Sequence, residues 1–329
     1  MSTSPEPVVF KPHATFKSVA CGDHFSAAIS TSGDLYTWGR HDFLQLGYSF
    51  EESNTTPSAY PTGTASKKRT NKKSIHESRL GVGGSPFPRI VLSLANSVAS
   101  VSIGTDHVCA IDTKGQLYTW GRGTFSQLGL GDSTDRIEPC AVPGMTAPAR
   151  SVSAGWRFTV CVCEDGQVYS WGAGSAGQLG HESKLRKRVA TPIKTFENMS
   201  DTIKLVSCGE KHVFALTESG VVYAWGSNEH GRLGIGDKEC KEKTTPYQMP
   251  PHPQAKIVDI HAGHRHSACL DAMGRMYTWG CGGNGRLGHG ISDDQYTPKQ
   301  VLSKHLTKRQ RVKSIQCGHM HTSAIDETG

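Results

Sequence analysis

The chain has 329 residues, 37 of them Gly, with 36 Lys and Arg against 29 Asp and Glu for a formal net charge of +7. That length suits two average domains or one large all-β domain, and the glycine content favours turn-rich β structure over helices. No apolar run approaches the roughly 20 residues of a membrane-spanning helix, and the start MSTSPEPVVF lacks the basic segment and apolar core of a signal peptide. The expected location is nucleus or cytoplasm, where ten Cys without a Cys-x-x-Cys pair read as reduced thiols.

The N-terminal segment, residues 1–18, contains EPVVFKP, which reads as a strand that completes a blade. Beyond it a repeat begins. Trp-Gly recurs at Trp38, Trp120, Trp171, Trp225 and Trp279, each preceded sixteen residues earlier by Gly22, Gly104, Gly155, Gly209 or Gly263. Eight residues after each Trp comes Leu-Gly, at Leu46, Leu128, Leu179, Leu233 and Leu287. The Trp-to-Trp intervals are 82, 51, 54 and 54. Self-similarity near 50 residues with strand-like composition means a propeller, and the five Trp are its expected buried core.

The long first interval locates an insertion. Pro57 and Pro88 each match Pro139 by one of its two offsets, and their separation of 31 equals 82 − 51. Residues 57–88 therefore read as a disordered basic insertion carrying Lys67, Lys68, Arg69, Lys72 and Lys73. The third unit shows the expected blade most clearly. RSVSAG and FTVCVCEDG alternate, QVYSWGA returns, and ATPIKTF is the expected fourth strand, with Pro192 at its start. The C-terminal SIQCGHMHTSAIDETG supplies two strands of a sixth unit. The count is five complete four-stranded antiparallel blades and part of a sixth, in a single domain spanning 1–329.

GQLYTWGRGTFSQLGLGD, residues 115–132, superficially resembles a phosphate-binding loop, but no helical period follows and no Gly-Lys-Ser/Thr is present. Its glycines belong to the repeat. No Gly-x-Ser-x-Gly occurs either, and no enzyme, cofactor or metal site is expected; HAGHRH, residues 261–266, has no carboxylate or Cys at ligand spacing.

CGEKHVFALTESGVVYAWGSNEHGRLGIGD, residues 208–237, carries a resemblance. The chain resembles the regulator of chromosome condensation repeat family, whose units read Cys/Ala-Gly-x-x-His, Gly-x-Leu/Val-Tyr-x-Trp-Gly and Gln-Leu-Gly. The resemblance implies a seven-bladed propeller, so these repeats read as a truncated or atypical ring. It implies several roles: exchange factor for a Ran-type GTPase, chromatin binder, recruiting part of a ligase or kinase, scaffold, or light sensor. Light sensing needs Gly-Trp-Arg in several adjacent blades, and here AGWRF occurs once.

All loops after the blade glycines open on one face. Their leading residues form the expected partner-binding set: Asp23, His24, Asp106, Trp156, Arg157, Glu210, Lys211, His264, Arg265 and His319. The third position, His107, His212, His266 and His321 in four of the six, reads as an intrablade hydrogen-bonding residue. Exchange factors of the family grip the GTPase with acidic and His residues of these loops, which Asp23, Asp106, His264 and His319 match in type. The basic runs, including KLRKR (184–188) and KHLTKRQRVK (304–313), suit an acidic surface, chromatin or, at 67–73, an import receptor. The expected function is a non-catalytic interaction scaffold. The alternatives are a Ran-type exchange factor and a recruiting domain of a larger ligase or kinase.

Overall fold

The computed structural model describes residues 14–48, 84–250, 256–302 and 311–328. Residues 1–13, where EPVVFKP is expected as a strand, and 49–83, with the basic run 67–73, lie outside the described residues.

Among the described residues, twenty-two strands form five four-stranded antiparallel sheets and a hairpin, with neighbours in sequence paired in space. Blade 1 is β1 (Phe16–Cys21), β2 (Phe25–Ser30), β3 (Leu35–Arg40) and β4 (Gly84–Ile90). Blade 2 is β5 (Val98–Ile103), β6 (His107–Asp112), β7 (Leu117–Gly121) and β8 (Arg136–Ala141). Blade 3 is β9 (Ala149–Ala154), β10 (Phe158–Cys163), β11 (Val168–Gly172) and β12 (Lys187–Pro192). Blade 4 is β13 (Ile203–Cys208), β14 (His212–Thr217), β15 (Val222–Ser227) and β16 (Glu242–Gln248). Blade 5 is β17 (Ile257–Ala262), β18 (His266–Asp271), β19 (Met276–Gly280) and β20 (Gln295–Gln300). The sixth unit is the hairpin β21 (Val312–Cys317) and β22 (Thr322–Asp326). The fold is an all-β propeller of this kind.

The register explains the Trp-Gly pair. In every complete blade the ladder between third and fourth strands slips across it, as between Ser170 and Gly172. The slip needs left-handed backbone, and Gly172 holds φ at 103°. A Cβ there would meet the Arg157 carbonyl at 2.6 Å.

Two boundaries differ from the sequence expectation. In blade 3 the fourth strand ends at Pro192 instead of starting there, and Lys194–Phe196 forms a 3₁₀ turn. Pro192 has no N–H to extend the ladder, and the turn seats Phe196 against Trp225 at 5.8 Å between ring centres. In blade 1 the strand begins at Gly84, before Pro88, so residues 84–88 belong to the blade and not to an insertion.

Core lies between blades. Phe25, Val108 and Trp120 share one apolar cluster across blades 1 and 2, and Phe158, Val213 and Trp225 share another across blades 3 and 4. Trp120, Trp171, Trp225 and Trp279 are at most 1% exposed. Trp38 is instead half-buried, which corrects its reading as buried core. Each buried indole is covered by the Leu-Gly loop of the preceding blade, and no described blade precedes the first.

Candidate protein-interaction face

One recurring hydrogen bond builds the face. The second residue of each glycine loop presents its carbonyl to the amide two residues beyond the Trp of the same blade. The pairs are His24–Arg40, Asp106–Arg122, Arg157–Ala173, Lys211–Ser227 and Arg265–Cys281, at 2.8–3.0 Å. The glycine loops and the loops after Trp-Gly are thus held side by side.

Beneath them the blades are joined by buried polar junctions. His107 Nε2 lies 2.9 Å from Thr159 Oγ1 of the next blade, and that hydroxyl donates to the Gln127 carbonyl at 2.9 Å. Trp171 Nε1 donates to the same carbonyl at 2.9 Å. His212 with Ser267, and His266 with Thr322, repeat the contact at 3.0 and 2.9 Å. These His link one blade to the next, which corrects their reading as intrablade residues. Because the hydroxyl donates onward, each His must carry its proton on Nε2, which leaves the buried Nδ1 as an acceptor. Burial lowers the His107 pKa to about 3 and that of His266 to about 4, so both are neutral. The preceding glycine makes room: a Cβ on Gly104 would stand 2.4 Å from His107 Cε1.

Above the junctions, side chains from all six units form one continuous chain. The Arg40 guanidinium lies over the Phe43 ring at 5.7 Å, and Arg122 over the same ring at 4.3 Å. Arg122 lies 5.4 Å and Arg157 4.0 Å from Phe125. Arg157 also covers Trp156 at 3.9 Å, and Lys211 approaches that indole at 5.6 Å. Lys211 is 3.8 Å from Glu210, which His264, Arg265 and the fully buried Arg232 also approach at 3.1–3.6 Å. His264 stacks on His319 at 3.8 Å, and His319 Nδ1 lies 3.7 Å from Asp23.

The charges are unevenly matched. Asp42 pairs with Arg40, and Asp106 with Arg122 at 3.1 Å. Burial works against the Glu210 charge, but the surrounding cations outweigh it and hold the carboxyl below its usual range. Burial takes His264 down to about 4 despite Glu210 beside it, so at pH 7 Arg232, Arg265 and Lys211 supply that effect.

Of the ten loop residues expected on this face, nine enter the chain or pair directly with it. His24 is exposed and joins only through its backbone carbonyl. Sequence reading missed Arg40, Phe43, Arg122 and Phe125; the repeated loop after Trp-Gly was the available signal. In KLRKR, Lys184 pairs with Glu242, and Arg186 donates to the Thr124 carbonyl at 3.2 Å. The His of HAGHRH diverge, with His261 on Asp259 at 3.3 Å and His266 on Thr322. Among the described residues one group could hold a metal ion: His230, Cys281 and Asp294, with ligand atoms within 4.8 Å of one another. Asp294 already accepts the Gly282 amide, as Asp135 accepts that of Gly123, so its placement has a structural cause in the repeat. No helix among the described residues is long and apolar enough to cross a membrane.

The blades and their junctions define a propeller of regulator of chromosome condensation repeats. The chain belongs to the RCC1-like domain family, which matches residues 1–324. The ultraviolet-B receptor UVR8 of Arabidopsis thaliana is 30% identical over 94% of this chain and 64% of its own length. The human E3 ubiquitin-protein ligase HERC2 is 29% identical over 95% of this chain but 6% of its own length. Among solved structures, Prp20p of Saccharomyces cerevisiae matches with a TM-score of 0.76 at 19% identity, covering 94% of this chain and 68% of that one. The chain thus spans less than two thirds of either curated relative.

Proposed function

We propose that this chain is a non-catalytic scaffold that holds a partner protein on its glycine-loop face. The observation that carries the reading is the Arg–aromatic–carboxylate chain running through all six units, fixed from below by the junctions. Aromatic and Arg side chains pre-ordered on a surface are what strong interfaces use, because little rotamer freedom remains to be lost on binding. The junction residues His107 and His266 are buried and neutral, with Nε2 engaged by the next blade, so neither is placed to offer an acid or base to a substrate.

A Ran-type exchange factor is the second reading, and Prp20p has been described with its binding to Gsp1p and histones. It asks Asp23 and Asp106 to reach a GTPase, whereas Asp106 is engaged by Arg122 and Asp23 faces His319. A recruiting domain within a larger ligase or kinase is a form of the scaffold reading. HERC2 and the Xenopus laevis serine/threonine-protein kinase Nek9, 28% identical over 33% of its length, each contain a region similar to this chain. Location in nucleus or cytoplasm, and capture of an import receptor by residues 67–73, belong to the proposal; deleting 67–73 and tracking localisation tests the second.

The deciding experiment is affinity capture from native extract, comparing wild type with a Phe43→Ala/Phe125→Ala variant that keeps its melting curve. A partner lost only with the variant supports the face. Acceleration of nucleotide release from a Ran-type GTPase by wild type would replace the scaffold with the exchange reading.

A further inference from the structure

Among the described residues of the Arg–aromatic–carboxylate network, Arg157 differs from the other Arg and Lys. Arg40, Arg122, Arg232 and Arg265 each lie beside a carboxylate, and Lys211 is 3.8 Å from Glu210. The Arg157 guanidinium is gripped by Phe125 and Trp156 at 4.0 and 3.9 Å, yet among the described residues its side chain has no ion pair and no hydrogen bond. Stacking fixes the plane of a guanidinium and leaves its edge, a fork of N–H donors, to be satisfied in that plane. The nearby carboxylate, Asp106, is taken by Arg122 at 3.1 Å. Burial and then the Arg122 charge push the Arg157 pKa down, with Asp106 opposing them in part.

A half-buried, pre-oriented and unpaired guanidinium beside a second arginine is an anion receptor. We propose that Arg157, on its Phe125–Trp156 platform, receives a carboxylate from an acidic segment of a partner protein in a bidentate pair, with Lys211 and Arg122 flanking the segment. The inference rests on the scaffold reading and deepens it by naming the chemistry of the partner. Charge complementarity selects the occupant: the unpaired guanidinium takes one carboxylate, and the flanking cations Arg122 and Lys211 favour further acidic residues in the same segment. The pair would be partly desolvated by the two rings, which strengthens a charge-assisted hydrogen bond relative to one in open water.

The test uses the full chain and a short fluorescein-labelled peptide of alternating Glu and Ser, read by anisotropy at low and physiological salt. Wild type should bind. Arg157→Lys, which keeps the charge but loses the planar fork, should weaken binding about tenfold or more. Arg150→Ala removes a cation that pairs with Glu218 away from this face, and should bind as wild type does. Should the lysine variant melt early, Arg157→Gln gives the same readout. No binding by wild type, or equal binding by Arg157→Lys, overturns the proposal. So does Arg157-dependent binding of duplex DNA or phosphatidylserine vesicles without peptide binding. Sedimentation showing a dimer of the free chain that Arg157→Lys dissolves would make the occupant a second copy and also overturn it. A partner captured through Phe43 and Phe125 while the peptide fails to bind would sink this inference and leave the scaffold reading intact.

Discussion

Replacing Thr159 by Val removes one hydroxyl and keeps the shape of the side chain. In the junction of blades 2 and 3 that hydroxyl donates to Gln127 O and meets His107 Nε2, both within 2.9 Å, with His107 and Thr159 each fully buried. The Gln127 carbonyl retains Trp171 Nε1 as a donor, but the His107 N–H is left without a partner. An orphaned buried donor costs about 1–3 kcal/mol, so Thr159→Val should destabilise by roughly 2–3 kcal/mol. His107→Phe alone leaves the Thr hydroxyl its carbonyl acceptor and should cost about 1–2 kcal/mol through repacking. The double variant recreates the Phe–Val pairing found where Phe158 meets Val213. Room for the ring exists, because Gly155 is packed by Phe158 as Gly104 is by His107, at 2.3 and 2.4 Å from a hypothetical Cβ. The double variant should therefore be less damaged than the sum, with a coupling of at least about 1.5 kcal/mol. Urea unfolding followed by tryptophan fluorescence measures all four proteins. Additive losses, within about 0.3–0.5 kcal/mol, would refute the junction described here.

Trp225→Ala should cost about 3–5 kcal/mol and Trp38→Ala clearly less, since the second indole is half-buried; equal shifts in unfolding midpoint would contradict the packing. Stability should be highest above pH 6.5 and fall as pH drops from there towards 4. His107 and His266 stay neutral when folded, whereas an unfolded His takes up a proton near its ordinary pKa. By pH 5.5 each should have cost about 1.4 kcal/mol, and a flat urea midpoint between pH 7.5 and 5.5 would contradict that. Burial pushes the Cys109 and Cys317 thiols up to about 12, so alkylation of the native chain at pH 8 should label exposed Cys21 well ahead of them, as peptide mapping would show.

The blade count was legible because the repeat states its own period. Trp-Gly and Leu-Gly mark a bulge and the loop that covers the next indole, so their fixed offsets follow from one geometry repeated. The boundaries at β4 and β12 were not legible, since Pro tolerates either end of an edge strand and its position alone does not say which. Half of the candidate face was legible too. The glycine loops announced themselves by position, but Phe43 and Phe125 acquire meaning only when stacked on arginines of neighbouring blades, a contact that sequence offsets do not display. The junction pairing was present and missed: His107, His212 and His266 each face a hydroxyl one blade on, while Phe25 and Phe158 face Val108 and Val213.

That pairing makes the blades unlike tiles. A His-bearing blade is addressed to a successor with a hydroxyl, and a Phe-bearing blade to one with a Val. Exchanging blades 2 and 3 would therefore set a polar half against an apolar half at two of the three new seams, Phe25 against Thr159 and His107 against Val213. Order around the axis is therefore written into the seams as well as into the chain. The two flanks of the array carry halves of the polar kind, Ser26 on the first blade and His321 on the sixth unit. Any surface that abuts the first blade is addressed to bring a histidine, and any that abuts the sixth unit to bring a hydroxyl.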